Sequence, residues 1–399
     1  MTVAGDLVTG DLVTGDLVTG DLATNDRATD DQVTDDRATD DRATDGLAAA
    51  LDRAAVVVCC GSGGVGKTTT AAVLGLQLAE QGRRVVVVTI DPAKRLADAL
   101  GLAGGLTNDP TQLEIDATGE LWATMLDTAA TFDGLVRTNA PSEEQAERIL
   151  SNRFYRNIAG ALSGTQEYMA AERLYALHGD PRFDIVIVDT PPSRHALDFL
   201  EAPGTLARFL DHPLFKLLMM PTRRGLKVLN VAAQPVLRTI GKVVGGDVLA
   251  DAIAFFQAFD GMETGFRDRA DAVMTLLRSD ATRYVLVAAP KRDTIDEARY
   301  FAARLAESSL AVSALIVNRS TPQFATPTTR RSRATTALWA NHDELAATAA
   351  AERAQLGDLV TDVAPAPVAW VPMLSSDVHD LTGLRQIREL LFGPATTTG

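Results

Sequence analysis

The stretch CCGSGGVGKTTTA, residues 59–71, is the most informative segment of this chain for its fold. Within it, residues 61–68 read GSGGVGKT and satisfy the pattern GxxxxGK(S/T). Glycines let the backbone curl so that successive N–H groups point into one concavity, which holds phosphate oxygens. The preceding AAVVVCC predicts a buried strand, and the following residues predict a helix whose N-terminal end attracts anions. The motif therefore indicates a nucleotide-binding loop between a strand and a helix.

Lys67 and Thr68 carry the chemistry of this loop. Lys67 should contact the β- and γ-phosphates of ATP and is counted among the catalytic residues, while the hydroxyl of Thr68 should ligate Mg²⁺. Thr69 is placed to hydrogen-bond the α-phosphate. The alternative is a glycine-rich turn that happens to precede a helix, but the predicted strand and helix are the context that the motif requires.

Two acidic residues end hydrophobic runs further along the chain. Asp91 follows VVVVTI, 24 positions after Lys67, and Asp189 ends FDIVIVD. Because ligands bind at the carboxyl ends of parallel strands, Asp91 is predicted to activate the water that attacks the γ-phosphate and to lie near the metal. Asp189 is predicted to be the second acidic residue at Mg²⁺, acting through water. The alternative is a structural role, in which Asp91 caps the start of a helix and Asp189 caps a turn. For Asp91 this role is compatible with catalysis.

Short Val- and Ile-rich runs alternate with helical stretches after about residue 50. The runs lie at residues 54–60, 83–90, 183–190, 284–290, 312–320 and 368–374. This alternation predicts an α/β fold with a parallel sheet covered by helices on both faces. Residues of about 119–180 and 197–280 show helical periodicity without a strong strand and predict a helical subdomain. An apolar segment with Met219 and Met220 lies in the second stretch, as core or as a plastic binding surface.

The N-terminus repeats a five-residue unit, GDLVT, from Gly5 onward, and residues 1–45 contain twelve Asp against three Arg. A stacked β-helix of pentapeptides is one interpretation, but the later repeats replace leucine with Arg or Gln, which favours disorder. We expect a disordered acidic tail, one folded domain and a flexible C-terminus, over residues 1–48, 49–394 and 395–399. Within the folded domain we expect a nucleotide-binding core over residues 49–118, 181–196 and 281–394.

Composition narrows the class of protein. The net charge of −14 disfavours binding to nucleic acid or anionic membranes, because phosphates repel it. Cys59 and Cys60 are adjacent, so they form neither an ordinary disulfide nor a CxxC metal pair. The sequence shows no signal peptide and no apolar run of membrane-spanning length. We expect a soluble cytoplasmic protein that is peripheral at a membrane only through a partner.

Several motifs together resemble those of the ArsA-type ATPases: GSGGVGKTTTA, TIDPAKRLADAL, DTPPSRHAL, IVNRS and VPMLSSDV. The resemblance runs in order from about residue 52 to 394. This group of deviant phosphate-loop ATPases includes the ATPase subunit of arsenite pumps and the guided-entry factor for tail-anchored membrane proteins. The resemblance implies a doubly wound sheet with an inserted helical subdomain, working as a nucleotide-gated dimer. The residues it implies for ATP binding are Gly63, Gly64, Val65, Gly66, Lys67, Thr68, Thr69, Asn318 at the adenine and Pro372 in the loop over the base.

The chain departs from the group's pattern in three places. Ser62 stands where the group has a lysine that contacts the partner subunit's phosphates. Arg194 replaces a glycine of the switch segment that approaches the γ-phosphate. The zinc-binding CxxC of the targeting factor and the separated metalloid-binding cysteines of the arsenite ATPase are absent, which disfavours activation by arsenite because thiolates are its ligands.

Ser62 permits three interpretations. In the first, the chain is half of a heterodimer with a lysine-bearing paralogue rather than of a homodimer. In the second, Arg194 supplies the missing charge in cis, as a catalytic arginine finger. In the third, the chain binds nucleotide and hydrolyses it slowly, as a regulatory subunit.

The leading predicted function is a Mg²⁺-dependent ATPase that couples ATP hydrolysis to dimer rearrangement and to a membrane-protein client or partner. One alternative is the energising subunit of an anion exporter, which needs a separate channel protein. Another is a positioning or partitioning ATPase, a class that often has a membrane-binding amphipathic tail. The C-terminal LTGLRQIRELLF is amphipathic, but it is predicted to be the last helix of the fold.

Overall fold

The computed structural model describes residues 45–91, 93, 95–153, 155, 165–191, 198–211, 246–259, 261–324 and 330–394. All of them belong to the larger of two compact units, Asp40–Gly399. The acidic repeats, Arg194, the segment with Met219 and Met220, and the C-terminal residues 395–399 lie outside the described residues. The predictions for those parts stay predictions.

An eight-stranded sheet forms the centre of the described unit, in the order β3-β4-β2-β5-β1-β6-β7-β8. The strands are β1 (Val56–Gly61), β2 (Arg84–Thr89), β3 (Thr111–Leu113), β4 (Glu120–Met125), β5 (Ile185–Asp189), β6 (Thr282–Ala288), β7 (Val312–Ser320) and β8 (Val368–Pro372). The pairings are parallel except that β3 runs antiparallel to β4. The six strands expected from the sequence are confirmed.

Helices cover both faces of this sheet. They are α1 (residues 45–51), α2 (Lys67–Glu80), α3 (Arg95–Ala99), α4 (Thr128–Asn139), α5 (Glu143–Leu150), α6 (Thr165–His178), α7 (Asp198–Asp211), α8 (Gly246–Ala258), α9 (Glu263–Arg278), α10 (Arg292–Glu307), α11 (Thr336–Val363) and α12 (Leu381–Phe392). Val57 and Cys59 of β1 face α1, α2, α3 and α12, whereas Val56 and Val58 face the core shared with the remaining helices. The doubly wound α/β prediction is confirmed.

β1 occupies the point where the strand order reverses. Its neighbours are β5 on one side and β6 on the other, so the chain winds in opposite directions from it. In open α/β sheets, ligands bind outside the carboxyl ends of the strands at such a point. The glycine loop follows β1 and therefore lies where a ligand is expected.

The prediction of a helical subdomain without a strong strand over residues of about 119–180 is wrong at its beginning. Glu120–Met125 is β4, which pairs with β2 inside the core sheet. Leu121 and Ala123 are fully buried, whereas Trp122 between them is half-buried. This period-two alternation is typical of a strand near the edge of a sheet, but it lacks the continuous branched run that marked the central strands. The later helices α4 to α9 are helical as predicted.

The first and last of the described helices pack into the core. Leu47 and Leu51 of α1 are buried, so the boundary predicted after residue 48 falls inside a helix. Leu384 and Leu391 of α12 are buried in the same cluster as the α2 side chains, which confirms that this amphipathic segment is a helix of the fold. None of the helices in the described ranges combines the length and apolar character needed to span a bilayer.

Candidate active site

The glycine loop takes the shape that its sequence predicts. Gly61, Gly64 and Gly66 have φ angles of 147°, 75° and 93°, a region that favours glycine. A Cβ on Gly61 would lie 2.1 Å from the carbonyl oxygen of Val287, so no other residue fits there. Gly66 is the N-cap of α2 and no side chain caps this end, which leaves N–H groups of the first turn for an anion.

Lys67 crosses the inside of the loop. Its Nζ donates a 2.8 Å hydrogen bond to the carbonyl oxygen of Ser62, and both residues are buried, at 5% and 3% exposure. Burial lowers the pKa of Lys67, and the nearby Asp189 carboxylate partly offsets that effect. The lysine charge is therefore held next to the loop in a poorly solvated position.

Asp189 lies at the base of the loop, at the carboxyl end of β5, and is fully buried. Its Oδ2 accepts 2.9 Å hydrogen bonds from the hydroxyls of Thr68 and Thr89. Its Oδ1 is buried and has no hydrogen-bond donor among the described residues. Burial raises the pKa of Asp189 to about 6, although both threonine bonds and the Lys67 charge favour the ionised form.

The residues fit a magnesium ion. Mg²⁺ prefers oxygen ligands, usually one or two protein oxygens with water and phosphate completing the set. The Thr68 hydroxyl and the unpaired oxygen of Asp189 are such donors, beside the loop that would hold the phosphates. The structure thus brings these two predicted metal residues together.

Asp91 follows β2 and lies at the same edge of the sheet. Its side chain is 12% exposed, its Oδ2 lies 3.4 Å from the Arg95 guanidinium, and its Oδ1 accepts a 3.0 Å hydrogen bond from the Ala93 N–H. The Asp91 backbone N–H donates to the Thr89 hydroxyl at 3.2 Å. The carboxylate thus organises the turn before α3 and still has a solvent-accessible surface.

Thr89 is a site residue that the sequence interpretation missed. Its hydroxyl accepts from the Asp91 backbone and donates to the Asp189 carboxylate, so it connects the ends of β2 and β5. The available signal was that Thr89 is the one polar residue in the run VVVVTI, whose remaining five residues are aliphatic.

Asn318 and Pro372 come from the other half of the sheet. The Asn318 Nδ2 donates a 2.8 Å hydrogen bond to the carbonyl oxygen of Val65, so this side chain contacts the glycine loop. Pro372 is the last residue of β8 and pairs with Ser320, so the loop that follows begins at Met373, which is 59% exposed. The adenine roles of both residues stay predictions.

The two cysteines lie beneath the site, in β1. Both are free and fully buried. Burial raises the pKa of Cys60 to about 12, and it also raises the pKa of Cys59 well above its ordinary value. They are therefore buried thiols rather than thiolates at neutral pH. Within the described ranges, no group of three or more His, Cys, Asp and Glu side chains is placed to hold a metal ion.

A family model and several known proteins match the described unit. The family model described as anion-transporting ATPase matches residues 54–393. An ATPase get3 of Aspergillus terreus is 26% identical over 271 residues, which are 65% of this chain and 71% of that protein. A putative arsenical pump-driving ATPase 1 of Aquifex aeolicus is 24% identical over 349 residues, which are 85% of this chain and 78% of that protein. An arsenical pump-driving ATPase of Acidiphilium multivorum is 27% identical over 269 residues, which are 66% of this chain and 39% of that protein.

Proposed function

Since the chain belongs to the anion-transporting ATPase family and is an ATPase, we propose that it couples ATP hydrolysis to dimer rearrangement and to the handling of a membrane-protein client. The observation that carries the proposal is the hydrogen bond between Thr68 and Asp189 at the switch point of the sheet. It supports ATP hydrolysis because it joins the Thr68 hydroxyl and a buried carboxylate, two candidate Mg²⁺ ligands, beside the phosphate loop.

Lys67 and the loop N–H groups bind the phosphates in this proposal. The buried ammonium acts in surroundings of low dielectric, where it stabilises charge on the γ-phosphate more strongly than it would in water. Thr68 and Asp189 would hold Mg²⁺, which would neutralise charge on the phosphate oxygens when bound. The roles of Gly63, Gly64, Val65, Gly66 and Thr69 follow from their places in the same loop.

Asp91 is the proposed base for the attacking water. Its carboxylate accepts a proton from that water as the new bond to the γ-phosphorus forms and the bond to the ADP oxygen breaks. The contacts with Ala93 and Arg95 hold the carboxylate in place, and its exposed surface gives water access. ATP and water thus become ADP and phosphate, and the proton passes to solvent.

Ser62 supports the proposal of a heterodimer. Its side chain is uncharged, so this position offers no cation to a second chain, and its carbonyl oxygen accepts the Lys67 hydrogen bond within the same chain. A lysine-bearing paralogue would supply the missing charge to this chain's site. In the alternative, Arg194, which lies outside the described residues, supplies the missing charge within the same chain. The hydrolysis assay described below distinguishes this alternative, because the chain would then hydrolyse ATP without a paralogue.

The buried cysteines favour a membrane-protein client over arsenite. The full sequence has two cysteines, both fully buried, and burial holds their thiols protonated. Arsenite activation requires thiolate ligands, which these groups do not provide. An exporter subunit for another anion is the second candidate, favoured by the alignment with the Aquifex pump-driving relative over 85% of this chain.

The test is a hydrolysis assay on the purified full chain, alone and mixed with a lysine-bearing relative, with solution mass measured in parallel. We expect a chelator to abolish turnover, and mixing to raise it sharply as a one-to-one complex forms. Ser62→Lys should raise turnover of the chain alone, whereas the exposed control Ser151→Lys should not. Cooperative hydrolysis by the unmixed wild-type chain would contradict the heterodimer, and stimulation by arsenite would contradict the client proposal.

A second measurement addresses the client directly. A single apolar transmembrane segment, co-expressed with the full chain, should co-purify with it and be released when ATP and Mg²⁺ are added. Lys67→Met, which should not complete hydrolysis, should retain the segment. Absence of co-purification under conditions in which ATP is hydrolysed would favour the exporter alternative.

A further inference from the structure

Two consecutive residues of β7 hold two consecutive carbonyls of the phosphate loop. The Asn318 Nδ2 donates to the Val65 carbonyl oxygen at 2.8 Å, and the Arg319 Nη1 donates to the Gly64 carbonyl oxygen at 3.0 Å. Successive side chains of a regular strand point to opposite faces of the sheet. A local irregularity must therefore bring both side chains to the same loop.

That irregularity is a β-bulge at Arg319. Asn318 pairs with Val371 and Ser320 pairs with Pro372, which leaves Arg319 without a partner in the β7–β8 ladder. Its φ is 59°, in the left-handed region that residues with a Cβ rarely adopt. The Asn318 Oδ1 accepts a 2.9 Å hydrogen bond from the Arg319 N–H within the bulge. Bulges next to active sites commonly redirect a side chain, and unfavourable backbone conformations cluster at such sites.

We propose that Arg319 is a positioning residue of the phosphate loop, an inference that rests on the proposed binding of ATP there. For the loop N–H groups to face phosphate, the intervening carbonyls must point away from it. Arg319 holds the Gly64 carbonyl in that outward direction, and Asn318 does the same for Val65. A Cβ on Gly66 would lie 2.2 Å from the Asn318 Nδ2, which shows how closely the strand end approaches the loop.

The bulge is itself fastened to the rest of the fold. The N–H and hydroxyl of Thr321 donate to the carboxylate of Glu352 in α11, at 2.7 and 2.8 Å. The Met373 N–H donates to the Ser320 carbonyl oxygen at 2.8 Å. Because the backbone directly after it is held by these contacts, Arg319 presents its guanidinium to the loop at a reduced entropic cost.

The experiment compares two glycine substitutions in the full chain. Arg319→Gly removes the guanidinium and suits the left-handed backbone, while Ser309→Gly, at φ 60° in the turn after α10, suits the same backbone conformation and removes no cation. We expect Arg319→Gly to raise the Kd of Mg²⁺-ATP, measured by titration calorimetry, about tenfold, as for loss of a charge-assisted hydrogen bond. Ser309→Gly should leave the Kd within about twofold, and neither variant should lower Tm.

Kinetics separate positioning from a purely structural role. Arg319→Gly should raise KM while leaving kcat nearly unchanged, because the loop holds the phosphates in ground state and transition state alike. Arg319→Lys, which keeps a cationic donor, should recover part of the affinity. An Arg319→Gly Kd within twofold of wild type, or a lowered Tm without a KM effect, would overturn the inference alone. A wild-type chain that fails to bind ATP would overturn the proposed function as well.

Discussion

The hydroxyl of Thr68 donates a 2.9 Å hydrogen bond to the Oδ2 of Asp189, although the two residues lie 121 positions apart in the chain. One belongs to the first turn of α2 and the other ends β5. The Thr89 hydroxyl donates to the same oxygen from β2. Three elements therefore meet at one buried carboxylate, and the following predictions test what it and its neighbours do.

Lys67→Met should reduce ATP turnover by about 10³ or more, because the loss of a cation at the transferred phosphate removes transition-state stabilisation. Methionine replaces the apolar stem, so the fold should persist, and burial already lowers the pKa of the lysine. Steady-state phosphate release measures the effect. Lys291→Met, at an exposed position before α10, is the control and should keep wild-type turnover. A turnover within tenfold of wild type for Lys67→Met would contradict its role.

Asp189→Asn should remove the magnesium dependence of ATP binding. The variant keeps the size of the side chain but loses its charge, so ATP affinity with Mg²⁺ should fall to the value measured with a chelator. Tm should not fall, because burial already disfavours the carboxylate and raises its pKa to about 6. Titration calorimetry with and without Mg²⁺ provides the measurement. Asp116→Asn, in an exposed loop, should retain the full magnesium effect; an equal effect in Asp189→Asn would argue against a metal site there.

Asp91→Asn should separate binding from hydrolysis. The amide oxygen can still accept from the Ala93 N–H, so the turn before α3 should form and ATP should bind normally. Turnover should fall by about 10² to 10⁴, the range for loss of a general base. Asp98→Asn, at an exposed position of the same short helix, should change neither quantity. Normal turnover in Asp91→Asn would assign the residue a capping role only.

The ion pair between Glu172 in α6 and Arg269 in α9 should make stability depend on pH. The Glu172 side chain is 3% exposed, and burial raises its pKa although Arg269 opposes the shift. Arg269→Ala leaves that carboxylate unpaired and should destabilise the fold by about 3–5 kcal/mol at about pH 8. A raised folded-state pKa means that stability is present at low pH and is lost as pH rises through that pKa. The loss should therefore shrink towards about pH 5.

Urea denaturation at the two pH values measures this effect. Arg278→Ala, an exposed residue in the last turn of the same helix, should cost less than about 1 kcal/mol at either pH. A destabilisation by Arg269→Ala that is equal at both pH values would show that lost packing, rather than an unpaired carboxylate, is responsible.

Most of the α/β core was predictable because its signals are local. Continuous runs such as VVVVTI mark strands that are buried on both faces, and GSGGVGKT specifies its own backbone through three glycines with positive φ. β4 was not predicted, because a strand near the sheet edge shows alternating burial of its side chains in place of a continuous apolar run. The predicted domain boundary after residue 48 divides the helix at residues 45–51, because the buried Leu47 of that helix directly follows the acidic repeats.

Site residues could be predicted only where their position in the sequence is diagnostic by itself. Lys67, Thr68, Asp91 and Asp189 stand at motif positions or strand ends, and the structure places them at one edge of the sheet. Thr89 carries only a weak signal, the polar residue in VVVVTI, because a threonine near the end of a β-branched run is ordinary in any strand. Its role depends on the neighbour that β2 acquires in the sheet, which is β5.

Local sequence was enough to predict the phosphate loop, the strand runs and the acidic residues at strand ends, since these depend on residues adjacent in the chain. The folded chain was needed to show that Thr89 joins Asp91 to Asp189, and that Asn318 and Arg319 both contact the loop from β7. Those contacts require a strand order and a bulge, and both arise from packing between segments that are not adjacent in the chain.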